Sequence, residues 1–351
     1  MLATLPQVTP LRIGILGAAR IAPTAVVKPA RDLPDVEVVA VAARDRGRAE
    51  AFARKHGIPT VHDSYEALVA DPTVDAVYNP LPNGLHGCWT IAALEQGKHV
   101  LCEKPFTANA AEAAAVAAVA DASGLVVMEA FHYRYHPLAD LMVALVQEEA
   151  MGRVEHIEAR AIVPYFKPHD IRFDLRLAGG SLMDIGCYAV HQVRTVAGAE
   201  PTVVSATAKE KSPGIDRWID ARLRWPDLPG GTTGRITVAM YSLARPMIDL
   251  RIKGDFGTLS VLNPTRPHSF NHVHLRFRER KLGEEPRKQR VKGEGSTYWY
   301  QLRAFHAAVR DGGPVLTPPS DSIANMTVID AIYTAAGMQP RLPTPVRPVA
   351  R

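Results

Sequence analysis

From Leu11 to Phe131 the chain alternates apolar runs of strand length with stretches of helical text. LRIGILG (11–17) closes on a glycine, and helical text follows from Ile21 to Leu33. EVVAVAAR (37–44) leads into DRGRAEAFARKHG, whose last glycine is a helix stop. DAVYNP (75–80), HVLCEK (99–104) and LVVMEAF (125–131) are further apolar runs with helices between them. Strands that are apolar throughout and joined by helices must be covered on both faces. This predicts βαβ units in a doubly wound parallel sheet over residues 11–131, after an N-terminal extension at 1–10.

Beyond Phe131 the period changes to two. After a helical piece at 137–150 come VEHIEARAIV, TVVSATAKE, WIDARLRW, GRITVAMYS, IDLRIKG, TLSVLN and HVHLRFRE, many separated by turn text such as SPGID and KGDFGT. The pattern predicts an α+β domain over 132–340 with a large, mostly antiparallel open sheet. Two helices follow at about 297–311 and 322–337, and the Pro-rich tail 341–351 is expected to drape over the surface or be disordered.

Charge and cysteine content narrow the function classes. The net charge of +5 is scattered, and the basic stretch from Arg278 to Lys292 is diluted by Glu279, Glu284 and Glu285, so no nucleic-acid partner is expected. The Ala/Val-rich run 108–128 is broken by Asn109, Glu112 and Asp121 and reads as an amphipathic helix, with no membrane partner. The opening residues carry no basic leader before an apolar core. Three dispersed cysteines, Cys88, Cys102 and Cys187, suit a reducing cytoplasm better than a disulfide framework. No metal is expected: His268, His272 and His274 lack an accompanying acid or cysteine, and His132 and His136 lack the adjacent glutamate of a zinc helix.

GILGAARIA (14–22) falls at the first strand-to-helix turn, where backbone amides and a helix start approach a pyrophosphate. Gly17, Ala18, Ala19, Arg20 and Ile21 are the candidate contacts, with Ala19 where the middle glycine of the usual fingerprint stands. The second strand ends in Arg44, a residue type that accommodates a 2′-phosphate. NADP(H) is therefore preferred and NAD(H) remains possible, while Asp45 is free to cap the next helix.

VLCEKPF (100–106) brings an acid and a base to a strand's carboxyl end, where parallel sheets bind ligands. Pro105 restricts Lys104 and allows a cis peptide before it. AGGSLMDIGCYAVHQVR (178–194) places Asp184, Tyr188 and His191 on one face if the segment is a continuous helix. An ammonium such as Lys104 nearby is expected to lower the Tyr188 phenol and make it usable for proton exchange. Tyr133, Arg134 and His136 of FHYRYHP either border the cleft or form a packed hinge. Phe166 and His191 are further candidates for substrate contact.

Together, GILGAARIAP, YNPLPNGLH, GKHVLCEKPF, MEAFHYRYHP and GGSLMDIGCYAVH resemble the glucose–fructose oxidoreductase/inositol dehydrogenase family. Within it the likeness is greatest to the branch of dimeric dihydrodiol dehydrogenase and NADP-dependent D-xylose dehydrogenase. The resemblance implies that Lys104 and Tyr188 lie beside the nicotinamide, that Asp184 occupies the family's acidic position, and that Leu81, Asn83 and His86 line the cofactor. Glu103 is either a cofactor contact or a partner for a nearby charge. It also implies a homodimer or homotetramer through the second sheet. The resulting expectation is an NADP(H)-dependent oxidoreductase moving a hydride between nicotinamide and a sugar, polyol or cyclic diol. A non-catalytic NADP(H)-sensing protein and an NAD(P)-dependent glycosidase are the alternatives.

Overall fold

The first apolar run forms β1 (Leu11–Leu16), in which Leu11, Ile13, Ile15 and Leu16 are all buried. A strand without an exposed face belongs inside a sheet covered on both sides. The computed structural model describes residues 9–167, 169–240, 245–277 and 287–345. From β1 the chain runs through α1 (Lys28–Arg31), β2 (Val36–Ala42), α2 (Arg46–His56), β3 (Thr60–His62) and α3 (Tyr65–Val69). It continues through β4 (Ala76–Asn79), α4 (His86–Glu95), β5 (His99–Cys102), α5 (Ala110–Ser123) and β6 (Val127–Glu129). The six strands are parallel in the order β3-β2-β1-β4-β5-β6. The winding reverses between β1 and β4, which opens a crevice beyond their carboxyl ends.

Local sequence fixes the helix ends. Asn109 accepts a hydrogen bond from the Glu112 amide at 2.9 Å, and the Glu112 carboxylate accepts one from the Ala108 amide at 2.8 Å. Gly124, in the left-handed region, then ends α5. Asp45 caps α2 by accepting from the Arg48 amide at 2.9 Å.

The second half contains α6 (Pro137–Gln147), β7 (Val154–Val163), α7 (Cys187–Ala197), β8 (Thr202–Ser212), β9 (Ile215–Trp225) and β10 (Thr232–Met240). After these come β11 (Met247–Gly254), β12 (Gly257–Leu262), β13 (His272–Phe277), β14 (Arg287–Gln289), α8 (Thr297–Asp311) and α9 (Pro319–Ala335). The eight strands order as β14-β13-β12-β11-β7-β10-β9-β8, and β7 with β10 is the parallel pair. Ile219, Ala221, Leu223 and Trp225 of β9 face the core, and Asp220, Arg222 and Arg224 alternate with them. β14 was not visible in the sequence because all three of its residues are polar and exposed. Most of the basic stretch beside it, residues 278–286, lies outside the described residues.

The last two helices return to the first sheet. Tyr298, Tyr300, Leu302 and Phe305 of α8 share one core with Leu11, Ile13, Ile15 and Val41. α9 packs on α5, where Asp330 accepts from the Ala110 amide at 2.9 Å. Among the described residues no helix is long and apolar enough to cross a membrane.

Of the two expectations for the tail, residues 342–345 lie along the surface, while Arg341 departs from both by being buried. Arg341 is only 2 % exposed. Its Nη2 donates to Asp216 Oδ1 at 2.7 Å, its Nε donates to the Gly179 carbonyl at 2.7 Å, and its guanidinium lies 4.0 Å over the Tyr333 ring. Gly180, at φ +136°, makes room for this pair, since a Cβ there would collide with Asp216 Oδ1 and sit 2.8 Å from Arg341 Nη2. Thr344 then bridges the two halves, donating its amide to the Gly84 carbonyl at 2.8 Å and its hydroxyl to the Arg176 carbonyl at 2.6 Å. Residues 346–351 lie outside the described residues.

Glu129 at the end of β6 is buried, with the Phe106 amide at 2.9 Å and the Ser322 hydroxyl at 2.6 Å. Burial pushes its carboxyl up to about 8. The folded state therefore holds a proton that the unfolded chain gives up at lower pH. This carboxyl's contribution to stability is greatest in acid and falls by up to ~1.4 kcal/mol per pH unit as the pH rises from about 4.5 toward about 8. Urea unfolding across that window should show a flatter stability curve for Glu129→Gln than for the wild type.

Candidate active site

The nucleotide turn follows β1. Gly17 sits at φ +90°, and a Cβ there would come within 3.2 Å of Leu81 Cδ2. The turn tightens through the Ala19 amide, which donates to the Gly17 carbonyl at 2.8 Å. The amides of Ala18, Arg20 and Ile21 make no backbone hydrogen bond among the described residues. Such a turn suits a bound pyrophosphate. Arg44 is exposed just beyond β2, and Asp45 is occupied as a helix cap. Burial raises the Tyr65 phenol while Arg44 and Arg48 oppose that rise, which puts two guanidinium groups at this edge. The residues fit a dinucleotide, and the pair of cations fits one bearing a 2′-phosphate. Arg48 escaped the sequence reading because it stands inside a charged helix.

Leu81 packs beside Gly17. Asn83 Nδ2 donates across to the Ala178 carbonyl at 3.1 Å and so ties the loop to the second half. His86 is buried, with its ring nitrogens 2.7 Å from the carbonyls of Pro105 and Leu81. Burial pushes its imidazole down to about 4. Both nitrogens face the protein's own backbone, and the neutral ring donates to one of the two carbonyls, so the histidine shapes the loop.

Lys104 leaves the end of β5, and the Lys104–Pro105 peptide is cis. Its Nζ donates to the Asp184 carbonyl at 2.7 Å, lies 3.9 Å from Asp184 Oδ1 and stands 5.0 Å over the Tyr188 ring. Burial disfavours this ammonium, but Asp184, Cys187 and Glu103 outweigh it and raise its pKa. Lys104 is thus a cation at neutral pH. Asp184 also accepts from Arg172 Nε at 3.1 Å and lies between two cations. Glu103 is buried, accepts from the Tyr78 hydroxyl at 2.8 Å, and has its carboxyl raised by burial. Its hydrogen-bond partner is the neutral Tyr78 phenol, with the Lys104 ammonium acting on it only at longer range.

Two expectations about α7 change. Residues Leu182–Gly186 form a π turn, and the α-helix begins only at Cys187. The wider turn shifts the register, so Asp184 and Tyr188 meet Lys104 while His191 does not. His191 is buried, stacks on Phe131 at 4.1 Å, and lies 2.8 Å from Asp321 Oδ2 and 2.5 Å from the Tyr133 hydroxyl. The Tyr188 phenol, expected to be lowered, is instead raised well above its ordinary range. Burial is the main cause, with Tyr298, Glu103, Cys187 and Asp184 adding to it. The ammonium lies over the ring face, whereas the hydroxyl points to His132 Nε2 at 3.1 Å.

The other candidates lie apart from the lysine. Tyr133 is buried against His191, and Arg134 Nη1 donates to Asp140 at 3.1 Å. His136 caps α6, accepting from the Leu138 amide at 3.1 Å. FHYRYHP is therefore mainly a packed hinge, and the member of it that meets the Tyr188 hydroxyl is the buried His132, which the sequence weighed only as a metal ligand. Phe166 is 51 % exposed on the loop after β7. That loop also supplies Asp170, 4.0 Å from Arg20 across the cleft, and Arg172, bonded to Asp170, Tyr165 and Asp184. Arg172 had no signal beyond its place in DIRFDLRLAGG, seven positions before the glycine pair begins. Among the described residues no group of three His, Cys, Asp or Glu side chains is arranged to hold a metal ion.

Residues 11–131 match the oxidoreductase family with an NAD-binding Rossmann fold, and residues 140–260 match the GFO/IDH/MocA C-terminal domain. The chain is 37 % identical over 330 residues to D-xylose 1-dehydrogenase (NADP(+)) 2 of Haloferax volcanii, covering 93 % of this chain and 97 % of that protein. It is 32 % identical over 307 residues to trans-1,2-dihydrobenzene-1,2-diol dehydrogenase of Oryctolagus cuniculus, covering 86 % and 91 % of the two chains. Among solved structures, a 3-ketoreductase from Actinomadura kijaniata in complex with NADP and TDP-benzene superposes with a TM-score of 0.84 at 29 % identity, covering 93 % and 98 %. With both halves matched and full-length relatives above 30 % identity, the chain belongs to the GFO/IDH/MocA family of oxidoreductases.

Proposed function

We propose that this oxidoreductase is an NADP(H)-dependent dehydrogenase or reductase acting on a hydroxyl or carbonyl of a sugar, polyol or cyclic diol. The observation that carries this reading is the meeting of Lys104 and Tyr188, from opposite halves of the fold, at 5.0 Å beyond the carboxyl ends of β4 and β5. Lys104 and Asp184 side chains keep 14 % and 18 % exposure, so they remain accessible to a bound molecule. The substrates and cofactor in the relatives' names agree with that chemistry.

Gly17 to Ile21 would hold the pyrophosphate, and Arg44 with Arg48 the 2′-phosphate. When bound, the nicotinamide supplies or accepts the hydride. The Lys104 ammonium, anchored on the Asp184 carbonyl, has further N–H donors for the reacting oxygen. In reduction Tyr188 Oη–H gives its proton to that oxygen; in oxidation the phenolate takes it back. Asp184 fixes Lys104 and is itself held by Arg172. We place the enzyme in the cytoplasm, where its three free cysteines stay reduced. We further propose a homodimer or homotetramer through the outer face of the eight-stranded sheet, a state that light scattering would report.

A thermal-shift comparison should show stronger stabilisation by NADPH than by NADH. Arg44→Ser should narrow that preference about tenfold, the size of one charge-assisted contact. Equal or greater stabilisation by NADH would overturn the cofactor reading. D-xylose, other aldoses, polyols and a trans-dihydrodiol, assayed with NADP+, then identify the substrate. No cofactor turnover across this panel would overturn the functional reading.

A further inference from the structure

His132 Nε2 lies 3.1 Å from the Tyr188 hydroxyl, and the ring is only 2 % exposed. Its other nitrogen, Nδ1, is buried and has no hydrogen-bond partner among the described residues. Burial holds this imidazole far below its ordinary pKa, and His268, Lys104 and Arg266 push it the same way. The ring is neutral and carries one N–H. If that proton sat on Nδ1, a buried donor would be orphaned, which folded proteins rarely tolerate. An unfilled acceptor costs less, so the proton belongs on Nε2 and points at the phenol oxygen.

This tautomer has a chemical consequence. A phenol oxygen that accepts from His132 must direct its own O–H elsewhere; Tyr188 is only partly buried, so that O–H turns to the cleft instead of being orphaned in its turn, beside the Lys104 ammonium over the same ring. We propose that His132 is a positioning residue for proton exchange: its Nε2–H donates to Tyr188 Oη, turns the phenol proton toward the reacting oxygen and stabilises the phenolate left behind. This rests on the reading of Tyr188 as the proton-exchanging group. In reduction the Tyr188 O–H bond breaks and the substrate O–H bond forms, with the phenolate charge met by the imidazole N–H. In oxidation the proton returns to the phenolate, and the imidazole stays neutral throughout.

The ring is held from several sides. Tyr298 of α8 lies 4.1 Å from it, and His268 flanks Tyr298 at 6.1 Å and accepts from the Thr297 hydroxyl at 3.0 Å. Phe131 meets the Tyr188 ring edge-on at 5.4 Å. The charged and titratable groups facing the pair are Lys104 and Glu103 from the end of β5, Asp184 and Cys187 from the π turn and α7, Tyr298 from α8, and Arg266 and His268 after β12. All of these remain in a His132 variant, so a change in the phenol titration reports the single hydrogen bond removed.

The test compares His132→Phe, which fills the space without a donor, with His132→Gln, which returns an N–H. Tyrosinate ultraviolet absorbance, taken as the difference from Tyr188→Phe in each background, follows the phenol without any substrate. Removing the donor should move the Tyr188 titration up by about one to two pH units, matching the loss of one hydrogen bond to a charged oxygen. The limiting rate of oxidation with the best substrate should fall about 10- to 100-fold, and its rise with pH should shift upward by the same amount. KM and NADPH affinity should hold, and His132→Gln should recover most of both losses. Should His132→Phe fail to unfold cooperatively, His132→Met takes its place. A Tyr188 titration unmoved in the donorless variant, or a Gln variant no better than Phe with both folded, overturns the proposal. A wild type that turns over no substrate overturns the acid–base reading instead, and the absorbance comparison still decides the hydrogen bond.

Discussion

Lys104→Ala is expected to cut kcat by about 10²- to 10⁴-fold while NADPH still raises the melting temperature by nearly its wild-type amount. The separation follows from where the lysine stands. Its ammonium touches the Asp184 carbonyl and the Tyr188 ring, not the glycine turn after β1. Asp184 does not become an unpaired buried charge in the variant, because Arg172 Nε still donates to it at 3.1 Å. The stability loss should therefore be small and the kinetic loss large. Lys104→Arg should not restore the rate, since a planar fork cannot reproduce a point-like ammonium at this distance. Steady-state kinetics beside a thermal shift separate the two effects. A variant turning over at the wild-type rate would remove Lys104 from the mechanism.

Arg341→Met should destabilise the fold by about 3–5 kcal/mol, because it strands a carboxylate with no exposure at all. Asp216 would keep the Ser181 hydroxyl at 2.6 Å, the Leu182 amide at 2.8 Å and the Tyr333 hydroxyl at 2.8 Å, but lose its only countercharge among the described residues. The damage should reach the active site as well. Ser181 and Leu182 lead into the π turn that carries Asp184, so kcat should fall under conditions where the protein is still folded. Urea unfolding measures the first effect and kinetics at low temperature the second. The double variant with Asp216→Asn should recover part of the loss, because the remaining partner is then no longer charged. An unchanged urea midpoint in Arg341→Met would show that the pair contributes nothing.

Much of this was legible in the sequence, for physical reasons that differ by element. Five of the six parallel strands announced themselves because burial on both faces favours apolar runs, as in Ile13 to Leu16, whereas β3 is short and partly exposed. The outer sheet was legible through period-two text, except for β14, whose three exposed polar residues carry no pattern. Lys104, Asp184 and Tyr188 stood out because charge and phenol interrupt apolar text beside glycines and a proline. Arg172 and Arg341 did not, and His132 showed only as half of a zinc-like spacing without its glutamate. Each draws its importance from a partner distant in the chain: Arg172 from Asp184, His132 from Tyr188, Arg341 from Asp216. A side chain whose value lies in a long-range pairing leaves no local trace. The π turn is a similar case, since it changes which residues share a face without changing composition.

The return of α8 onto β1 and β2 bears on the order in which the protein is made. Leu11, Ile13 and Ile15 leave the ribosome long before Tyr298, Leu302 and Phe305, the residues that complete their core. The nascent N-terminal half therefore emerges with part of its sheet uncovered, and it must wait in a sticky, incomplete state until the last helices arrive. A fragment ending near Phe131 would keep every strand of the nucleotide fold and still lack its final wall. The cofactor half is thus sealed only when synthesis is nearly finished, so ribosome-bound fragments that end before α8 should depend on chaperones more than the complete chain does.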